Sequence, residues 1–299
     1  RSVMDYIRYI EKTHEYYRSL GYEKVYNYAY NEDFPFTPLK KPLSESRVSL
    51  VTTASFVLLD EAGNPLEEPG MIGTNELEVF TVPSVWPTDR ILSTSTDHDR
   101  YQTDMEDVDA FFPTTRMQEF LKEGTFGSLS KNYYRTLPNY SHRKTTVVDG
   151  PELLRQGREA NVDVALLTPV CPVCHQTVSL VARVLEAGGI STVTYTNARD
   201  IAASAGNPRQ IFLNYPLGNP AGRPNDAENQ RDVLRAGLKL LEEADKPGII
   251  IDLPYVWTES KAWMEKFMTD EQPFISEEAE ARRQELLQKA REQKAKQAQ

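Results

Sequence analysis

Residues 162–176 read VDVALLTPVCPVCHQ, and this stretch decides the fold class. Val162 to Pro169 is a short apolar run of the kind that forms a strand buried on both faces. A helix is predicted next, from Pro172 to Ala187, because proline suits a first helical turn and Gly188-Gly189 ends the pattern. Working outward, Ile190 to Thr196 (ISTVTYT) is the next strand, Ala198 to Ala205 a short helix, and Arg209 to Tyr215 (RQIFLNY) another strand. The loop PLGNPAGRPND leads into an amphipathic helix from about Asp226 to Ala244, capped by Asn225 or Asp226, and Gly248 to Leu253 (GIIIDL) closes the series. Strands alternating with helices predict an α/β fold: Rossmann-like parallel sheets with helices on both faces, in two intimately packed α/β halves.

The N-terminal side is less regular. Val3, Tyr6, Ile7, Ile10, His14, Tyr17 and Leu20 share one helix face, so a helix is expected over 3–20, stopped by Gly21. Prolines 35, 38 and 42 mark an extended connector. Arg47 to Leu59 (RVSLVTTASFVLL) holds the first buried strand, and a long loop with hairpin-like turn chemistry runs from Asp60 to Asn75. Leu77 to Val82 and Arg90 to Thr94 are weaker strands, and Pro113 opens a helix that Gly124 closes. From Ser276 onward Glu alternates with Lys and Arg, as in a solvated helix or frayed tail. The expected organisation is 1–45 as helix and Pro-rich connector, 46–150 and 151–275 as the two halves, and 276–299 as the charged end.

Composition bounds the function. The 299 residues are 39% hydrophobic and 26% charged, enough for a sizeable core. A formal net charge of −10 argues against a nucleic-acid partner, which calls for a basic footprint. There is no apolar run of about 18 residues, so no membrane partner is expected. The stretch RSVMDYIRYIEKTHEYY has no uninterrupted apolar run of the secretory kind, and without an initiator Met a leading piece is expected to be missing or removed. No G-x-G-x-x-G, Walker A or G-x-S-x-G motif is present, so nucleotide binding and serine hydrolysis have no support.

The two cysteines both lie in one C-x-x-C, Cys171 to Cys174. Residues just past the C-terminal end of a strand line the ligand crevice of a parallel sheet. Cys171 falls there, at the helix N-terminus, where free backbone N–H groups and the positive end of the helix dipole favour a thiolate. Cys174, one helical turn on, can resolve a species formed on Cys171. Other readings remain: a haem attachment C-x-x-C-H, a structural zinc site that would need a second pair of ligands, or two buried core cysteines. His175 is expected to face solvent or serve the helix end, with stabilisation of the Cys171 thiolate as the alternative.

Taken in order, YIRYIEKTHEYYRSLGYEK, PFTPLKKPLSESRVSLVTTASFVL, TDHDRYQTDMEDVDAFFPTTRMQEF, the cysteine motif and YPLGNPAGRPNDAENQRDVLRAGLKLL resemble the B-component selenoproteins of the glycine/sarcosine/betaine reductases and the selenoprotein subunit of D-proline reductase. The likeness spans about 3–250 of the chain. In that family the first C-x-x-C position is often selenocysteine, the nucleophile in reductive cleavage of a carbon–nitrogen bond. Here it is Cys171. A selenol is largely ionised at neutral pH and an ordinary thiol, with a pKa of about 8.5, is not. The resemblance also implies a separate reductase subunit bearing a pyruvoyl group that holds the amine; no pyruvoyl precursor is evident in this chain.

Two further clusters border the same crevice. Thr96 to Tyr101 (TDHDRY) follows a strand-like segment, and His98, oriented by Asp97, is a candidate proton donor or base near Cys171. Asp97 is a candidate substrate-binding carboxylate. A metal on Asp97, His98 and Asp104 matches no familiar ligand spacing, and none is predicted. Tyr215, Gly218 and Asn219, in a rigid strand-end loop, are the other candidate substrate-binding residues.

The expectation is therefore an oxidoreductase, or the thiol subunit of one, acting on a small amino acid or amine. Catalysis falls to Cys171, Cys174 and His98, with a thiol or thioredoxin-like reductant, a cytoplasmic location and a homo-oligomeric state. A racemase is disfavoured because thiols one turn apart share one face of a substrate carbon. The alternative is a redox switch or scaffold subunit whose C-x-x-C moves between dithiol and disulfide.

Overall fold

In a computed structural model, which describes residues 5–66 and 77–297, the N-terminal helical pattern becomes α1 (Tyr9–Ser19). Val3 lies outside the described residues, and Gly21, at φ +89°, ends the helix where expected. An extended arm follows and leads into β1 (Arg47–Thr52). The RVSLVTTASFVLL run is two strands, because the chain turns out of the main sheet after Thr52, whose Oγ1 accepts Ala54 N–H. Its second part, β2 (Phe56–Leu58), pairs antiparallel with β4 (Ile91–Ser93) as a small separate sheet. Between them lies β3 (Val79–Pro83). The predicted Asp60 to Asn75 loop is described only to residue 66, where Leu59 and Pro65 form an antiparallel bridge; 67–76 lie outside the described residues.

After α2 (Thr114–Lys122) come β5 (Ser128–Leu129), β6 (Asn132–Thr136), α3 (His142–Lys144) and α4 (Gly150–Glu159), none of which but α2 is marked by clear periodicity. In β6 a buried Arg135 interrupts the apolar pattern; its guanidinium bonds the Phe56 carbonyl and lies over the Phe56 ring at 4.8 Å. From there structure and pattern agree closely: β7 (Val164–Thr168), α5 (Pro172–Ala187), β8 (Ser191–Thr196), α6 (Arg199–Ser204), β9 (Arg209–Phe212), α7 (Ala227–Glu243) and β10 (Ile249–Asp252). The chain ends in α8 (Ala262–Lys266) and the charged α9 (Glu277–Gln297).

The main sheet has the order β10-β9-β8-β7-β1-β6-β3, with β5 also on β1. All its pairings are parallel except β3 on β6. Alternation along the strands sends Leu50, Leu166, Val193 and Tyr195 to a core with Met117, Phe120, Leu234 and Leu238 of α2 and α7. Val51, Ala165 and Leu167 face the opposite way, onto Leu153, Val178, Val181 and Leu185 of α4 and α5. This is the predicted α/β architecture with helices on both faces. At the sheet's N-terminal edge Arg209 is buried against Glu186 of α5, which also accepts Thr37 N–H at 2.6 Å and so pins the arm.

One topological fact positions the site. Strands β1 and β7 are neighbours in register from Val48↔Val164 to Thr52↔Thr168. From β1 the chain passes by way of β2 to β3, on the β6 side, whereas from β7 it passes to β8 on the other side. Such a switch point opens a crevice beyond the strands' carboxyl ends, and the cysteine motif follows β7 there. No helix among the described residues is long and apolar enough to cross a membrane.

Candidate active site

Cys171 is the N-cap of α5, with extended φ/ψ of −81° and 167°, and its sulfur accepts the Cys174 N–H at 3.2 Å. Pro172 at the first helical position has no N–H to leave unsatisfied. The helix begins one turn before the Cys174 side chain, which brings the two Cα atoms to 4.9 Å, and the sulfurs are joined as a disulfide. Cys174 Sγ lies 3.9 Å from the carbonyl of Thr53, the residue just after β1, so the pair sits between the two strands of the switch point.

The two sulfurs differ in access. Cys171, 5% exposed, lines a cavity of about 450 Å³ with Pro172 and Val173, whereas Cys174, 2% exposed, lies behind it. Tyr17, Tyr22, Tyr26, Tyr28 and Tyr140 form much of the wall, with His14, Lys24, Asp97, Phe274 and Ile275. Most come from segments far from residue 171: the N-terminal helix and arm, the loop after β6 and the approach to α9. The arm is fixed by Gln176 of α5, whose Oε1 accepts Ala29 N–H and whose Nε2 donates to the Tyr26 hydroxyl, both at 2.7 Å. Tyr26 in turn donates to the Tyr140 carbonyl and packs on Cys171.

Asp97 shares this cavity with Cys171. It is exposed to solvent, yet partial desolvation by the surrounding protein pushes its carboxyl above the usual carboxylate range. Tyr140 is about half exposed at the cavity rim, yet partial desolvation, reinforced by Asp97, pushes its phenol up to about 12. The Tyr17 phenol is raised further, by desolvation first and by the Tyr140 and Tyr28 phenols and Asp97 after it. A cation entering between these rings and the carboxylate would meet a matching field.

The other predicted residues occupy different places. His98 is buried beside the cavity; its Nδ1 lies 3.1 Å from Ser95 Oγ, and burial lowers its pKa to about 4. Its ring is thus held by the Ser95 hydroxyl and the Thr103 backbone and not by the Asp97 carboxylate expected from sequence. Gly218, at φ +111°, packs directly on it: a Cβ there would sit 3.2 Å from His98 Cβ and from Met105 Sδ. Asp99 N–H donates to Leu217 O at 3.0 Å, so the TDHDRY segment and the Gly218 loop are brought together. Asn219 is buried and bonds Asn197 and Pro216. Tyr215 turns to the opposite face, edge-on to Trp257 with its hydroxyl 3.3 Å from Asn229 Oδ1.

His175 does not face solvent. It is fully buried, because the loop after β8 closes over the first turn of α5. Asn197, the residue of that loop that ties these segments, is missed by sequence reasoning; its only signal is an asparagine directly after a strand in ISTVTYTNA. The tyrosine wall has no local signal either. Among the described residues no cluster of three or more His, Cys, Asp or Glu is arranged to hold a metal ion.

The fold and site define an α/β protein with a dithiol/disulfide pair at the switch point of a mostly parallel sheet, one sulfur facing an aromatic cavity. Its curated homologues are subunits of amino-acid reductase complexes. D-proline reductase subunit gamma of Acetoanaerobium sticklandii is 28% identical over 221 residues, 74% of this chain and 88% of the relative. Glycine reductase complex component B subunit gamma of Symbiobacterium thermophilum is 24% identical over 220 residues, 71% of this chain but 49% of the relative. Betaine reductase complex component B subunit beta of Peptoclostridium acidaminophilum is 21% identical over 188 residues, 60% of this chain and 41% of the relative. The last two matches therefore span under half of those proteins. No family model matches, and neither does any solved structure.

Proposed function

We propose that this chain is the thiol-bearing subunit of an amino-acid reductase, with Cys171 as nucleophile and Cys174 as resolving thiol. The observation that carries the reading is the asymmetry of the pair: Cys171 opens on the cavity it shares with Asp97, and Cys174 stands behind it. The Cys171 thiolate attacks the carbon that bears nitrogen, forming a C–S bond as the C–N bond breaks and the amine departs. The Cys174 thiolate then attacks the Cys171 sulfur. The S–S bond forms, the C–S electron pair stays on carbon, and a proton completes the product. In sum, an α-ammonium carboxylate and two thiols give the protonated amine (ammonium from glycine, trimethylammonium from betaine, an amine still tethered to the opened chain from D-proline), the carboxylate with C–H in place of C–N, and a disulfide. A thiol or thioredoxin-like reductant returns the disulfide to dithiol.

Asp97 holds the ammonium and supplies the final proton, and His98 supports the Asp97 loop from behind as a neutral ring. A second reductase subunit as partner and a cytoplasmic location, where a reduced dithiol persists, go with this reading.

The substrates named for the relatives supply the test: D-proline, glycine and betaine, each given to reduced protein in the absence of oxygen. With Cys174→Ser, intact mass is expected to show a substrate-derived adduct on Cys171. The parent should form its disulfide in step with C–N cleavage. The disulfide favours one other reading, a redox switch or scaffold subunit. A switch traps no substrate and loses its redox response entirely with Cys174→Ser, which would overturn the enzyme reading.

A further inference from the structure

Both ring nitrogens of His175 are committed. Nδ1 lies 2.8 Å from the Cys171 carbonyl oxygen, and Nε2 lies 2.9 Å from Asn197 N and 3.0 Å from Ala198 N. A backbone N–H only donates and a carbonyl only accepts, so the tautomer follows. The proton is on Nδ1 and the lone pair on Nε2. Asn197 carries the connection onward, since its side-chain amide pairs with the Asn219 peptide in both directions. Asn219 N–H donates to Asn197 Oδ1, and Asn197 Nδ2 donates to Asn219 O, each at 3.2 Å. Asn197 Nδ2 also lies 3.0 Å from the Leu213 carbonyl. One imidazole and one amide thus join the loops that follow β7, β8 and β9.

We propose that His175, as its Nδ1–H tautomer, is a positioning residue for Cys171, holding the first turn of α5 against the two neighbouring loops so that the Cys174 amide stays aimed at the Cys171 sulfur. The brace acts on the Cys171–Pro172 peptide. Rotation of that peptide would carry the Cys171 side chain off the helix axis, and His175 opposes it from one side as the proline ring fixes the next φ. Asn219, read from sequence as substrate-binding, enters as the far end of this brace. The ring is suited to the task because it stays neutral: burial lowers its pKa to about 4, and protonating Nε2 would set a new N–H against two others. Only the effect on reactivity rests on Cys171 being the nucleophile; the tautomer and the brace do not.

The test has two arms on the reduced full chain. In protein labelled with 15N-histidine, long-range proton–nitrogen spectra should show one ring with Nδ1 protonated and Nε2 bare, unchanged from about pH 5 to about pH 8. A ring protonated on Nε2, or one titrating near the ordinary histidine value, overturns the proposal. The second arm measures alkylation of Cys171 in a Cys174→Ser background. Asparagine sets its amide nitrogen near the place of Nδ1, and glutamine sets its oxygen near the place of Nε2. His175→Asn thus keeps the bond to Cys171 and loses the loops, and His175→Gln does the reverse. Each should slow alkylation near pH 6.5 by about tenfold, a rise of about one unit in the thiol's titration, with the far-ultraviolet circular dichroism retained. Profiles superimposed on that of the parent overturn the positioning role. Should both variants unfold, the spectra decide. An ordinary thiol titration in the parent sinks the proposed catalytic role and leaves the tautomer result standing, so the two failures are distinct.

Discussion

The titration of Cys171 is the most informative perturbation, and its size can be worked from the geometry. In the reduced protein the thiolate would sit at the N-cap of a sixteen-residue helix, accepting one amide N–H. A helix N-terminus contributes up to about 2 kcal/mol to a partly buried anion. A hydrogen bond to a charged acceptor adds about 1.5–3 kcal/mol. Against these stands burial, for the residue is only 5% exposed. A sulfur that still opens on a cavity loses about 1–2 kcal/mol to partial desolvation. The balance, about 2 kcal/mol in favour of the anion, places the thiol below its ordinary value of about 8.5. The assay is iodoacetamide alkylation of Cys174→Ser protein followed by intact mass across a pH series, with Cys171→Ser as the converse. A half-maximal rate clearly below about pH 8.5 is expected, with Cys174 at least about tenfold slower because it lies behind Cys171 against the Thr53 carbonyl. A half-maximal rate at or above about 8.5, or equal rates for the two cysteines, would refute the reasoning.

Three other outcomes are expected. Arg209→Met leaves the Glu186 carboxylate buried without its counter-charge and should lower stability to urea by about 3–5 kcal/mol; a loss under about 1 would show the pair to be dispensable. Asp99 is buried with its Oδ2 lacking a hydrogen-bond partner, and burial raises its pKa to about 6. Folding thus favours its protonated form, and the stability this provides below about pH 4 is lost as pH rises through about 6. Asp99→Asn should accordingly raise the melting temperature at about pH 7.5 and leave it unchanged near pH 4; equal gains at both would rule out the carboxyl as the cause. Gly218→Ala forces a Cβ against His98 and Met105 in a left-handed backbone conformation and should cost about 1–3 kcal/mol by thermal unfolding, an expectation that a neutral result contradicts.

Much of the molecule was legible in its sequence wherever the deciding forces are local. The apolar run of β7, the proline at the start of α5 and the glycines after it locate strand, turn and helix within a residue or two, because burial on two faces and helix capping act over neighbouring positions. The same locality places Cys171 at a strand end and a helix N-terminus, and Cys174 within reach of it. Where the structure departs from the pattern, long-range packing overrides it. In β6 it buries an arginine whose partners lie in β2 and β3, and RVSLVTTASFVLL divides because its second half belongs to another sheet.

The strand-end cysteine pair, the α/β alternation and the ordered motifs shared with the reductase subunits were thus fixed by sequence alone. Only the tertiary structure decided which sulfur faces a cavity, that tyrosines from α1, the arm and the loop after β6 wall it, and that Asp97 shares it with Cys171 while His98 lies outside. It also decided that His175 is enclosed. Helical position sets the direction in which a side chain leaves α5, but the loop after β8 determines what it meets, and that loop is brought there by the pairing of β7 with β8. A cavity wall is an intersection of segments remote in sequence, and no local periodicity encodes where remote segments intersect.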